Sequence, residues 1–181
     1  MSGLISTVVG SMAIALVSTL GDFIWATWIP RHRPVYGLTH GTLLFLAVGL
    51  YLGVLTRRPA PGAMLGAALG FLAAGSFYVL APLAGYSVMF VSWFGIWIAL
   101  AFAYAWLCGG ASPTRALVLR GLAAAVASGL AFYLVSGIWR PFDPVGWDYV
   151  WHFAAWTFAY FTGFASLLMG PAHARRHTAS A

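Results

Sequence analysis

The chain has no lysine, no glutamate and one cysteine, and its only acids are Asp22, Asp143 and Asp148. A lone Cys108 excludes an intrachain disulfide and a cysteine-rich metal site. It reads as a small core residue near a helix end. Charged residues make up 7% of the sequence, against about 25% in soluble domains. So few charges cannot cover a water-facing surface.

Recognisable catalytic patterns are also missing: there is no GxGxxG, Walker, HExxH or GxSxG sequence. Serine, histidine and aspartate are present as residue types, but without a nucleophile elbow or an oxyanion loop. The regular intramembrane arginines of a voltage sensor are absent, and a pump is expected to carry more than one mid-membrane acid. No catalytic residue, metal ligand or cofactor is therefore assigned.

What the chain has is apolar surface. Hydrophobic residues make up 62%, and the mean hydropathy is +0.89. These values predict an integral membrane protein. The net charge of +6 comes from arginine alone. Because the arginines lie in short turns between apolar runs, they are read as orienting helices and touching anionic headgroups, with no nucleic-acid partner.

A bilayer core of about 30 Å needs roughly 20 apolar residues per helix. Six runs qualify: Leu4–Trp28, Tyr36–Leu55, Gly62–Ala84, Ser87–Cys108, Ala116–Val135 and Tyr149–Met169. The N-terminus has no basic region and its apolar run is too long for a signal peptide, so it is expected to stay as the first helix. Six spans put both termini on one side, together with Arg57, Arg58, Arg115, Arg120, Arg175 and Arg176. Arg31, Arg33 and Arg140 fall on the other. The positive-inside rule then predicts cytoplasmic termini. The expected fold is an all-α, six-transmembrane-helix bundle: one domain over 1–172, then a short basic cytoplasmic tail, 173–181.

Small residues recur every four positions: Gly62, Gly66, Gly70 and Ala74; Gly121, Ala125 and Gly129; Gly37, Gly41, Gly49 and Gly53. Each set makes a groove for a close neighbour, either within the chain or in a homo-oligomer.

The polar residues share a depth. Asp22 lies six residues before Trp28, His40 four after Tyr36, and His152 five after Trp147. At 1.5 Å per residue all three sit roughly 6–9 Å below the outer interface. Ser76, Tyr78, Ser92 and Tyr133 fall in the same layer. Ser18, Asp22 and Trp25 share one helical stripe; Tyr36, His40, Ala47 and Tyr51 share another; Tyr149, His152, Trp156, Tyr160 and Gly163 form a third. A mid-membrane carboxylate costs about 2.5–3.5 kcal/mol on insertion scales, so it needs compensation.

Three readings fit this layer: a hydrogen-bonded tie between helices, a small-molecule pocket opening toward the outer leaflet, or a metal or proton-transfer site. One carboxylate with two histidines has the composition of an iron facial triad, but three separate helices provide no motif spacing. Among the tryptophans, Trp25, Trp28, Trp139, Trp147 and Trp151 suit an interfacial belt. Trp93, Trp97 and Trp156 lie deeper and suit either a cavity wall or the core. In the last turn, Pro141 and Pro144 stiffen a segment in which Arg140 can pair with Asp143 or Asp148, and this turn is expected to cap an outward-facing cavity.

The stretch Leu130–Met169 reads LAFYLVSGIW, then an acid-bearing proline turn, then an aromatic helix ending FTGFASLLM. With six spans and a tight third–fourth turn, this layout resembles the Insig family, small six-helix proteins that sense sterols. Asp143 falls near that family's turn aspartate, while its Asn-Gly is Ser136-Gly137 here. The resemblance implies a non-enzymatic bacterial inner-membrane protein with a central lipid pocket, forming a homotrimer. A diacylglycerol-like or sterol-like lipid is the implied ligand.

The expected ligand site therefore comprises Asp22, Trp25, His40, Tyr78, Ser92, His152, Trp156 and Asp143. The alternatives are a metal- or haem-binding membrane enzyme using Asp22, His40 and His152, or a small transporter, for which no broken helix or inverted repeat is evident.

Overall fold

The computed structural model describes residues 3–28, 34–110, 112–136 and 145–168. They form six helices: α1 (Gly3–Trp28), α2 (Pro34–Leu55), α3 (Pro59–Ala84), α4 (Val88–Leu107), α5 (Thr114–Ser136) and α6 (Asp148–Leu168). Each apolar run becomes one helix, because within hydrocarbon a helix satisfies its own backbone. Five of the six are long and apolar enough to cross a membrane, and the protein is a helical membrane protein. Helix α6 has the length but carries Asp148, His152 and several Trp, Tyr and Thr residues, which lower its hydropathy. It lies between α1 and α5 and turns Ala155, Ala159, Tyr160, Phe164 and Leu167 inward.

The third helix differs from its expected bounds. It starts at Pro59, a residue suited to a first helical position because its missing N–H has no intrahelical role there. It continues through Pro82 to Ala84. Its end at Ala84 is the expected one: the break falls at Gly85, whose φ of 70° favours glycine, followed by one 3₁₀ turn through Ser87.

Consecutive helices pack side by side and α6 returns to α1, closing a ring. Neighbours run antiparallel: Tyr51, late in α2, donates to the Ser6 carbonyl, early in α1. Asp22, late in α1, meets His152, early in α6. One end of the bundle therefore gathers Gly3, Leu168, and the turns with Arg57, Arg58 and Arg115. The other end carries Asp148, and Asp22 lies close to it.

Two kinds of contact hold the ring. Along α2 and α3, backbone meets backbone: a Cβ on Gly66 would run into the Phe45 carbonyl, and one on Gly62 into the Gly49 carbonyl and the Gly53 backbone. The glycine stripe of α3 is thus occupied within the chain, by α2. The stripe of α5 is used at Gly121, against the Ile98 backbone of α4, whereas Gly129 has room for a methyl group beside Trp93. Inside the ring an aromatic column runs down α6, with Trp156 on Tyr160 at 5.6 Å and Tyr160 on Phe164 at 6.0 Å. Trp97 packs edge-on against Phe164 and over Gly163, and Tyr51 closes on Phe164 from α2. Trp97, one of the deep tryptophans, is therefore core.

Candidate functional site

The polar layer forms where the sequence places it, near the aspartate end, and it divides into two parts. The first is a tie between α1 and α6. Asp22 Oδ2 lies 2.7 Å from His152 Nε2 and 3.2 Å from Trp156 Nε1. The Trp156 indole N–H donates to the carboxylate, and a His152 tautomer protonated on Nε2 supplies a second donor. His152 and Trp156 can both reach one oxygen because they are four residues apart on one helical face. One turn deeper, Ser18 and the Tyr160 hydroxyl are 3.0 Å apart, so α1 and α6 are joined twice. Interhelical bonds of this kind average only about 0.6 kcal/mol. Here they also remove the penalty of an unpaired carboxylate in an apolar surrounding.

The second part is a cavity of about 290 Å³ beside that tie. Its floor is made of small residues from α2 and α3, Gly37, Gly41, Gly70, Ala73 and Ala74. They belong to the same periodic stripe that brings the two helices together, and the backbones touch here too, a Cβ on Gly70 running into the Gly41 carbonyl, so the cavity lies beside this seam. Trp93, Ile96, Trp156 and Tyr160 form an apolar wall. Trp93 is oriented by its N–H donating to the Ala125 carbonyl at 3.1 Å. Half-buried Tyr36, His40, Phe77, Tyr78 and Met89 border the cavity.

Polar atoms reach this space from four helices. Asp22 of α1 lines it with a carboxylate whose Oδ2 is already engaged. His40 of α2 stacks flat on Tyr36, with the ring centroids 6.0 Å apart and 2° between planes, and its imidazole rests against Gly21. The Tyr36 hydroxyl itself donates to the Gly21 carbonyl. Tyr78 of α3 lies over Gly37, and Ser92 of α4 completes the set. Among the described residues, His40, Tyr78 and Ser92 make no side-chain hydrogen bond.

Of the expected site residues, Asp22, His40, Tyr78, Ser92 and Trp156 thus line one cavity. His152 stands outside the lining and meets it through Asp22 and Trp156. Trp25 belongs to α1, but its side chain lies outside the described residues, as does Asp143 with the turn expected to cap the cavity. Ser76 and Tyr133, assigned to the same layer, do not line it: Ser76 is exposed and bonds its own helix at Ala73, and Tyr133 packs on Phe90 and Phe132. Trp93, left open between cavity wall and core, lines the cavity, while Tyr160 and the glycine floor were not among the expected site residues. The floor was detectable, since Gly37, Gly41 and Gly70 interrupt the apolar faces at this depth.

Among the described residues, no group of three or more His, Cys, Asp or Glu side chains is placed to hold a metal ion. Asp22 and His152 pair with each other, and His40 stands apart, against Gly21. No protein-family model, curated protein or solved structure matches this chain.

Proposed function

We propose that this membrane protein binds an amphiphilic lipid with a small polar head, diacylglycerol-like or sterol-like, in the cavity beside Asp22, and acts as an Insig-like lipid sensor or regulator. The observation that carries this reading is the set His40, Tyr78 and Ser92. Three polar side chains from three helices border an apolar-walled space without a protein partner. Polar groups in such surroundings are normally satisfied, and a hydroxyl-bearing head would satisfy them.

The cavity, about 290 Å³, sits at the lower end of the roughly 300–1,000 Å³ typical of small-molecule sites. It accommodates a glycerol-sized head and the first methylenes, or one end of a sterol, and the tail leaves past Phe77 and Met89. The head is neutral in this reading, because among the described residues the one carboxylate that borders the space is already paired and no arginine borders it.

The same proposal places the arginine-rich end, with both termini, on the cytoplasmic side of a bacterial inner membrane. It also takes the homotrimer from the resemblance. A C-terminal fluorescent fusion that is bright only in the cytoplasm tests the orientation, and mass photometry in detergent tests the oligomer.

Native mass spectrometry of protein extracted in mild detergent tests the ligand. A stoichiometric neutral lipid, lost from Tyr78→Phe and Ser92→Ala while the fold is retained, is the expected result. A bound metal or haem, or a lipid indifferent to both substitutions, overturns the proposal.

A further inference from the structure

Helices α3 and α4 are joined tightly at Gly85–Ser87, and toward their other ends a second space opens between them, on the outside of the bundle. This trough of about 830 Å³ is separate from the cavity beside Asp22. One wall is Pro61, Leu65 and Leu69, spaced four apart on α3. This is not the glycine face of α3, which α2 occupies. The floor is Ala99 and Ala103 of α4, and the rims are Met64 and Trp106, 74% and 54% exposed. The lining carries no charged side chain.

The trough ends beside a cation. The Arg58 guanidinium sits 4.7 Å above the Trp106 ring, and its Nη1 reaches the Trp106 carbonyl at 3.5 Å. Arg57 precedes it in the exposed turn between α2 and α3, and Arg115 and Arg120 open α5 at the same end. Among the described residues this end holds no acid, and no carboxylate pairs with Arg57 or Arg58.

We infer that this trough holds one acyl chain of an anionic phospholipid, with Arg58 and Arg57 on its phosphate. Charge and shape both favour this occupant over a second copy of the chain. An exposed α3 or α5 of a second copy would bring no negative group to Arg58, whereas a phosphate pairs with a guanidinium in two hydrogen bonds. From Pro61 to Leu69 the trough runs about 12 Å at helical rise. That is most of one leaflet's hydrocarbon depth, about 15 Å. The stacking of Arg58 on Trp106 holds the cation at the level where a phosphate meets the hydrocarbon.

The test uses the full-length protein, delipidated in mild detergent and offered equal amounts of dioleoyl phosphatidylglycerol and dioleoyl phosphatidylcholine. Retained lipid is read by native mass spectrometry. One retained phosphatidylglycerol per chain, in preference to phosphatidylcholine, is expected. Arg58→Gln reduces its retention about fivefold, the scale of one arginine near a membrane surface, and leaves phosphatidylcholine unchanged. Ala103→Phe fills the floor and abolishes retention. Because Ala103 faces the bundle as well, Ala99→Leu, at a less buried position, serves as a second filling variant, and monodisperse elution confirms the fold of each. Equal retention of the two lipids, or retention unchanged in Arg58→Gln and Ala99→Leu, marks merely annular lipid and overturns the site. So does a filling variant that changes oligomeric mass while lipid retention stays the same.

Discussion

The two ends of the α2–α3 pair share one close backbone seam and differ in what lies beside it. At the arginine end, Gly49, Gly53, Gly62 and Gly66 bring the backbones into contact, and shape alone holds the pair. At the aspartate end, small residues again face each other at Gly37, Gly41, Gly70 and Ala74, yet a cavity lies beside them. The difference lies in the third layer. Near Asp22 the α2–α3 backbones still touch, at Gly41 and Gly70, but beside them the rings of Tyr36, His40 and Tyr78 border a space that α1, α4 and α6 leave open. Small-residue spacing therefore brings α2 and α3 together at both ends without fixing what lies beside the seam. What the neighbouring helices bring decides whether a pocket opens there.

Substitutions can break either side of this comparison. Gly66→Ala strikes the seam hardest, because its new methyl group meets the Phe45 carbonyl and the Gly49 backbone. Neither can rotate away as a side chain would. A loss of about 3 kcal/mol is expected, seen as a large fall in the unfolding midpoint in detergent. A midpoint within a degree or two of the parent's would show that the backbones are not in contact.

Asp22→Ala attacks the polar end and removes the acceptor that His152 and Trp156 share, leaving the Trp156 indole N–H only His152 Nε2, 3.1 Å away. The expected cost is about 2 kcal/mol, and Asp22→Asn, which keeps an acceptor oxygen, costs about 1. Both should remain folded while binding the lipid more weakly, and undiminished affinity in Asp22→Asn would remove Asp22 from the pocket. Trp156→Phe keeps the ring stack on Tyr160 and removes one donor, so about 1 kcal/mol is expected. Equal losses in Trp156→Phe and Asp22→Ala would mean that the His152 contact contributes little.

Gly95→Ala is the smallest effect and has the opposite sign. Nothing lies within 4 Å of the added Cβ, so the helix gains about 0.5–1 kcal/mol from reduced backbone freedom. Destabilisation there would indicate that a neighbour, such as another copy of the chain, covers that face.

Much of this arrangement was legible in one dimension. Hydrophobic runs of membrane length have one stable solution, so six helices follow from composition and from the arginine turns. Depth was legible too: Asp22, His40 and His152 lie a fixed number of residues from a helix end, and 1.5 Å per residue converts count to height. The layer therefore formed where residue counting puts it. Helix bounds were less legible at α3, where a proline at the first turn extends the helix backward and Pro82 is carried within it.

Azimuth was not legible at all. A sequence gives each residue a height and a face relative to its own helix, but the rotation of one helix against the next depends on how all six pack. For that reason the partner of Asp22 could be narrowed to a histidine or hydroxyl at its depth, and only the fold selected His152 with Trp156 and set His40 apart against Gly21. Packing also separated two tryptophans on one face: Trp93 and Trp97 lie one turn apart on α4, yet Trp93 lines the cavity and Trp97 fills the core, because their neighbours on the other helices differ. Composition and spacing determined a six-helix membrane bundle with a polar layer near one end. Tertiary packing decided which members of that layer satisfy one another and which face an open space, because pairing is a property of helix rotation and depth is a property of the chain.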